Sequence, residues 1–242
     1  MLLVLAVGGT GCAQAHQDVS LGGRPDAGGI VVHDSNGGGD DDAPIDTPSH
    51  PIDSPSSGGM QTLSQTSDST VASLNAIACG STSTAQNSYY RVFPLSDYSI
   101  TGPFSVTNVT FKVEYADSAP PATVIVGTYS GTPGTTLTKA NITAIQTQPN
   151  VTIPAADADN AAMPGTVDVP ITATIPAGSN LVVEVDSPDS SGSFYIGTSA
   201  GAESKPGYIS TTNTDCALPT PTSMSQVAGH TASILLTVTG TY

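Results

Sequence analysis

Val109-Thr110-Phe111-Lys112-Val113-Glu114-Tyr115 places an apolar residue at every second position, with Thr, Lys and Glu between them. Side chains alternate between the two faces of a β-strand, so this pattern predicts a strand with one buried and one wet face. Val167-Asp168-Val169-Pro170-Ile171-Thr172-Ala173-Thr174-Ile175 repeats the pattern over nine residues. Pro170 falls among the outward positions, and proline cannot donate to a strand ladder. The segment therefore belongs at a sheet edge or at a bulge. Pro176-Ala177-Gly178 then turns the chain into Leu181-Val182-Val183-Glu184-Val185.

Working outward, further strands are expected at 89–93, 123–129, 151–153, 194–197, 208–210 and 233–239. Gly, Pro, Asn and Asp separate them, as turn chemistry requires. No segment carries a sustained helical stripe, which removes βαβ architecture and nucleotide-binding folds. Eight to ten short strands between residues 63 and 242 predict an all-β domain. The expected form is a single antiparallel β-sandwich of jelly-roll type, with a closed barrel as the alternative.

Composition bounds the function. Lys+Arg total 5 against 20 Asp+Glu in 242 residues, a formal charge of −15. Five cations cannot track a phosphate backbone, so nucleic acid is excluded as a partner. Eight of the acids lie between residues 13 and 60 against Arg24 alone. That stretch also holds Gly37-Gly38-Gly39, Asp40-Asp41-Asp42 and the near-repeat Pro44-Ile45-Asp46-Thr47-Pro48, Pro51-Ile52-Asp53-Ser54-Pro55. Like charges, Pro and little apolar area predict a disordered, extended tether over residues 12–62. Three consecutive Asp lack the alternating spacing of a calcium loop, which favours a solvated spacer.

Residues 1–11 read as a signal peptide. Leu2-Leu3-Val4-Leu5-Ala6-Val7 is followed by small residues and then Cys12. Gly11-Cys12 resembles a bacterial lipoprotein signal, and the resemblance implies that Cys12 carries the lipid. It also implies an exported protein held by an N-terminal lipid anchor at the outer membrane or cell surface of a Gram-negative bacterium. Its Asp/Pro/Gly-rich segment is similar to the spacers of outer-surface lipoproteins. Two cysteines then remain, Cys79 and Cys216. In an exported protein they are expected to form a disulfide that closes a loop of 137 residues.

Ala78-Cys79-Gly80, Tyr90-Arg91-Val92-Phe93, Thr101-Gly102-Pro103-Phe104, Thr174-Ile175-Pro176-Ala177-Gly178, Phe194-Tyr195-Ile196-Gly197 and Gly207-Tyr208-Ile209 occur in that order. Over about residues 70–242 the series resembles a β-sandwich module of bacterial secreted and surface proteins, which also carries a cysteine near each end. The resemblance implies fold and location, and it brings no activity with it.

The chemistry-bearing residues are few. His230 is the one histidine of the region, and no G-x-S-x-G elbow accompanies it. A non-enzymatic protein is expected, with no cofactor. Asp157 and Asp159, with Asp186 and Asp189, are weak candidates for a structural calcium ion. The functional expectation is a structural or adhesion module whose partner is a cell-surface glycan or protein. The alternative is a carbohydrate-binding module in which Tyr89, Tyr90, Tyr98, Tyr129, Tyr195 and Tyr208 form an aromatic platform.

Overall fold

The computed structural model describes residues 58–242, except 81, 82, 161, 162 and 164, together with Ala13–Gln14. The signal peptide 1–11, Cys12 and Asp40-Asp41-Asp42 lie outside the described residues.

Ten strands of four or more residues build the domain. They are β1 (Met60–Leu63), β2 (Asn87–Pro94), β3 (Phe104–Asp117), β4 (Ala122–Tyr129), β5 (Ile142–Val151), β6 (Thr166–Ile175), β7 (Asn180–Ser187), β8 (Ser193–Ile196), β9 (Gly207–Ser210) and β10 (Leu236–Thr241). One sheet runs in the order β9-β2-β7-β4-β5, extended beyond β9 by Thr222–Ser223. In the other sheet the long strand β3 is central. β8 and β10 share one of its sides, β6 and the short Ala156–Asp157 share the other, and β1 lies beyond β10. All pairings are antiparallel. Successive strands change sheet at every connection except β4 to β5, which gives the jelly-roll-like sandwich. Ala13–Gln14 pairs with Ala78–Cys79 and Met60–Leu63 is a paired strand, so the extended tether expected over residues 12–62 is corrected at both of its ends.

β6 shows why alternation sets the layers. Val167, Val169, Ile171, Ala173 and Ile175 are buried, while Asp168, Pro170, Thr172 and Thr174 are exposed. Pro170 satisfies both alternatives, because β6 is an edge strand and its register to β3 slips beside it. Gly178 supplies the left-handed φ of +72° in the turn to β7, where Ser179 N donates to Pro176 O at 3.2 Å. Between the sheets the aromatic rings meet edge-on. Tyr89 and Phe194 are 5.9 Å apart, and Phe111 and Phe194 are 6.5 Å apart.

Two local expectations are corrected. The alternation quoted from β3 holds only as far as Val113. Tyr195 pairs with Tyr115 but Ile196 pairs with Val113, so Glu114 is the extra residue of a bulge. The phase flips there. Glu114 and Ala116 are buried, whereas Tyr115 is only half-buried. The strand expected at 151–153 is instead the end of the ten-residue β5, whose side chains are exposed on both faces over 143–150. A strand covered on neither face has no alternation to betray it. On β7, Val182 alternates with the inward Leu181 and Val183 yet is not exposed. It is buried in a second core on the outer side of the first sheet, with Tyr90, Val92, Tyr129, Leu137 and Tyr208.

Residues 134–138 seal that second core. Tyr208 Oη donates to Gly134 O at 2.8 Å, and Tyr129 Oη accepts from Thr138 N at 3.3 Å. Leu137 N donates to Pro221 O at 2.9 Å, and Ser223 N donates to Thr135 O at 2.8 Å.

Cys79 and Cys216 form the disulfide, with Cα atoms 6.0 Å apart and a sequence separation of 137. Asn87 holds the Cys79 end: its Oδ1 accepts from Cys79 N at 2.8 Å, and its Nδ2 donates to Cys79 O at 3.2 Å. A bridge over so long a loop restricts the unfolded chain strongly. Replacing both cysteines with Ala should lower unfolding stability by about 2–5 kcal/mol in urea titration. An unchanged midpoint would contradict a structural role for the bond.

Candidate functional site

Tyr90-Arg91-Val92 lies in a run with no polar alternation, and its one charge points inward. Arg91 is fully buried. Its guanidinium has five N–H donors, and each meets an acceptor. Nε donates to Ile234 O at 3.0 Å, as does Nη2 at 2.5 Å. Nη1 donates to Gln65 Oε1 at 3.0 Å and to Lys205 O at 2.8 Å. Nη2 also pairs with Glu203 Oε2 at 2.9 Å. Burial lowers the pKa of Arg91, and Glu203 opposes that shift. Burial likewise raises the pKa of Glu203, and Arg91 pulls it back. Gln65 Nε2 donates onward to Val92 O, which ties the amide to β2. Gly207 lets β9 lie against Ile234, since a Cβ there would come within 2.8 Å of its side chain.

A second buried charge lies at the β3 bulge. Glu114 Oε2 accepts from Asn75 N at 3.3 Å and from Ala76 N at 2.8 Å. Leu74, with φ 62°, turns the backbone just before these donors. Asn75 Nδ2 continues to Thr198 Oγ1 at 2.9 Å and Ser199 O at 3.1 Å. Burial raises the Glu114 pKa from 4.5 to about 7, and the backbone donors only partly offset it.

The structure separates most of the residues singled out from sequence. Tyr89, Tyr90, Tyr129 and Tyr208 are buried, so the expected aromatic platform does not exist. Burial raises the pKa of Tyr89 and Tyr90, and pushes Tyr208 up to about 12. Tyr98 is half-buried, with its hydroxyl donated to Ser64 O at 2.8 Å. Tyr195 is also half-buried, and its ring packs edge-on against Tyr115 at 6.4 Å. The rings face inward because alternation puts Tyr89 between the sheets, while the 134–138 strap covers the outward Tyr90, Tyr129 and Tyr208.

Asp157 and Asp159 share a turn in which Asp157 Oδ1 accepts from Asp159 N at 3.0 Å. Asp186 Oδ1 accepts from Ser88 Oγ at 2.8 Å and also from Gln86. Asp189 lines a cleft beside the disulfide with Asp215. Among the described residues, no three of His, Cys, Asp and Glu are grouped to hold a metal ion. His230 is exposed just after the short helix Met224–Ala228.

The site that sequence reasoning missed lies on the outer face of the β3-centred sheet. Residues 64–69 leave β1 and rise as a wall beside β3 and β10. Ser64, Thr66 and Asp68 form that wall, and Thr110, Lys112 and Thr237 form the floor. All six are half-buried. The wall is stiff because its side chains bond its own backbone. Ser64 Oγ donates to Thr66 O at 2.9 Å, Thr66 Oγ1 to Asp68 O at 3.0 Å, and Thr70 N to Asp68 Oδ1 at 2.9 Å. Gln65, in the middle of the wall, is the residue held by Arg91. On the floor, Lys112 Nζ donates to Thr166 Oγ1 at 2.7 Å and Thr110 Oγ1 to Asp168 Oδ1 at 2.7 Å. No local motif announces the site, because its wall and its floor lie more than 40 residues apart in sequence.

Fold and site together define an antiparallel β-sandwich with a buried ionic hub and a hydroxyl-lined depression on one outer face. No family model matches the chain, and no curated protein matches it. Among solved structures, the cysteine protease and lectin-like domains of Cwp84, a surface-layer-associated protein of Clostridium difficile, are similar to it. The likeness covers 75% of this chain at 10% identity, with a TM-score of 0.45. This chain spans 36% of that structure's length. A likeness so slight does not bear on what this chain binds or does. Among the described residues, no helix is long and apolar enough to cross a membrane.

The buried Glu114 makes a signed prediction. Its folded pKa, about 7, lies above its ordinary value of 4.5. Its contribution to stability is therefore full below pH 4.5, fades as pH rises through 7, and is flat beyond. In Glu114→Gln the fall in urea midpoint between about pH 5 and 8 should be shallower than in the parent chain. An equal slope would show that this carboxylate is not responsible.

Proposed function

We propose that the protein is an exported, non-enzymatic surface module that acts as a structural or adhesive element. The observation that carries this reading is the Cys79–Cys216 bond, which closes a loop of 137 residues in the β domain. Disulfides of this kind persist outside the reducing cytosol. The outer face of the β3-centred sheet supports the reading too. Its exposed or half-buried positions include Thr107, Thr110, Thr172, Thr174, Thr237 and Thr239, a hydrated coat that suits an extracellular surface. Signal peptide 1–11 directs export, Cys12 carries a lipid anchor in the membrane, and the acidic stretch between Gln14 and β1 is a spacer. The location that follows is the outer membrane or cell surface of a Gram-negative bacterium, and the partner is a glycan or protein on that surface.

Carbohydrate binding is the second reading, and the outer-face depression favours it. It no longer rests on the tyrosines.

Mass spectrometry of the protein from membranes should find a diacylglyceryl-modified Cys12 as the N-terminus. Brief protease treatment of intact cells should release the sandwich. An unprocessed chain, or one protected until the cells are broken, would contradict the anchored surface reading.

A further inference from the structure

The residue that follows Cys12 is already part of the sandwich. Ala13 pairs with Cys79 and Gln14 with Ala78, antiparallel. We infer that the sandwich stands on the membrane on its disulfide end, because the lipid-bearing residue adjoins a strand there. The inference deepens the anchored reading above and rests on it.

The neighbouring hydrogen bonds explain why the strand settles at this edge. Cys79 spends its N–H and its C=O on the Asn87 side chain, at 2.8 and 3.2 Å. Along a strand these groups point alternately to the two sides, so Ala78 presents its own to the other side. Ala78 is buried, and a buried peptide group needs a partner. Gln14 is the residue in register with it. Cys216 holds Cys79 from a second direction, so the edge that receives Ala13–Gln14 is a fixed one. Consecutive Cα atoms lie about 3.8 Å apart, so no length of free chain separates the anchor from the domain.

Register identifies the two ends of the sandwich. Asn87, which clasps Cys79, pairs with Ser187 at the end of β7. Pro94 and Tyr129 pair with Asn180 at its start, about 23 Å further along the strands. The turn at Gly178 joins Ile175 to Asn180 there, and Ile175 pairs with Phe104. Next to Phe104, Ser105 pairs with Thr241, and Thr241 pairs with Met60. β1 therefore begins at the end opposite the disulfide. The acidic spacer follows Gln14 at one end of the sandwich and precedes β1 at the other. A segment joined to both ends of a domain is not a pedestal beneath it. The height of the domain is set instead by the peptide bond between Cys12 and Ala13. The cleft beside the disulfide is lined by Asp189 and Asp215 and by no Lys or Arg, so the covalent anchor, not charge, holds this end down. The turn Pro176-Ala177-Gly178 and the start of β1 face outward, toward the partner.

The test is paramagnetic relaxation in the processed chain, residues 12–242, isotopically labelled and with Cys79–Cys216 bonded. Cys12 is then its one free thiol and takes a nitroxide. Amides at 77–80, 86–88 and 186–188 should lose most of their intensity, while those at 104–106 and 175–180 keep theirs. Gln14→Pro, which removes the ladder N–H, should restore 77–80 and leave the rest of the spectrum dispersed. The acylated chain in phosphatidylcholine nanodiscs carrying a gadolinium headgroup should be attenuated at the same end. Equal attenuation at both ends, none at 77–80, or attenuation by the bilayer at 175–180 overturns the inference. A Cys12 found without lipid in cells would defeat the anchored reading, yet the nitroxide result on purified chain would stand. An acylated Cys12 with no effect at 77–80 would leave the anchor and remove only the orientation.

Discussion

The guanidinium of Arg91 is the point on which the domain turns. The chain has only five basic residues, and it commits one of them to a fully buried position. Desolvating a charge costs several kcal/mol unless geometry and hydrogen bonds repay it. Here all five donors are used, and their acceptors come from three separate segments: Gln65, Glu203 with Lys205, and Ile234. The Glu203–Lys205 segment has little apolar area of its own, whereas Ile234 is itself part of the main core. The arginine binds them through polar groups, so β1, the approach to β9 and the approach to β10 converge on one side chain of β2. Such a pair is poor evidence of net stability, but it does demand one arrangement of its neighbours.

That demand reaches the outer surface through Gln65. This residue faces inward to Arg91 while its neighbours Ser64 and Thr66 face the depression. The wall is thus positioned from inside the core, not from the surface it forms. The two sheets consequently have different exteriors. The first carries a second core of tyrosines under the 134–138 strap. The second keeps a bare, hydroxylated face, with a depression beside the wall. Polar chemistry is spent inside the molecule on architecture and outside it on hydration.

Much of the sandwich was legible because one buried face writes period-two alternation into the sequence. β6 reads correctly at every position, including the proline that marks it as an edge. Alternation stops being informative where tertiary context intervenes. The phase flip at Glu114 depends on how β8 registers against β3, which no local pattern contains. β5 left no signal because neither of its faces is covered. The tyrosines were legible as strand residues but not as core. The strap over them, Gly134-Thr135-Thr136-Leu137-Thr138, reads as ordinary loop. Arg91 had one readable sign, a lone cation inside an apolar run. The candidate site had none, since its hydroxyl residues resemble every other outward Ser and Thr until the fold assembles them.

The account stands or falls on whether one side chain holds the wall and its neighbours together. Hydrogen exchange of Arg91→Met, compared with the parent chain, tests this most directly. Amides at 64–68, 203–207 and 234–236 should lose protection selectively, while those of β4 and β6 keep theirs, alongside a stability loss of about 3–5 kcal/mol from the abandoned Glu203. Unchanged protection in those three segments, or an even loss across both sheets, would contradict it.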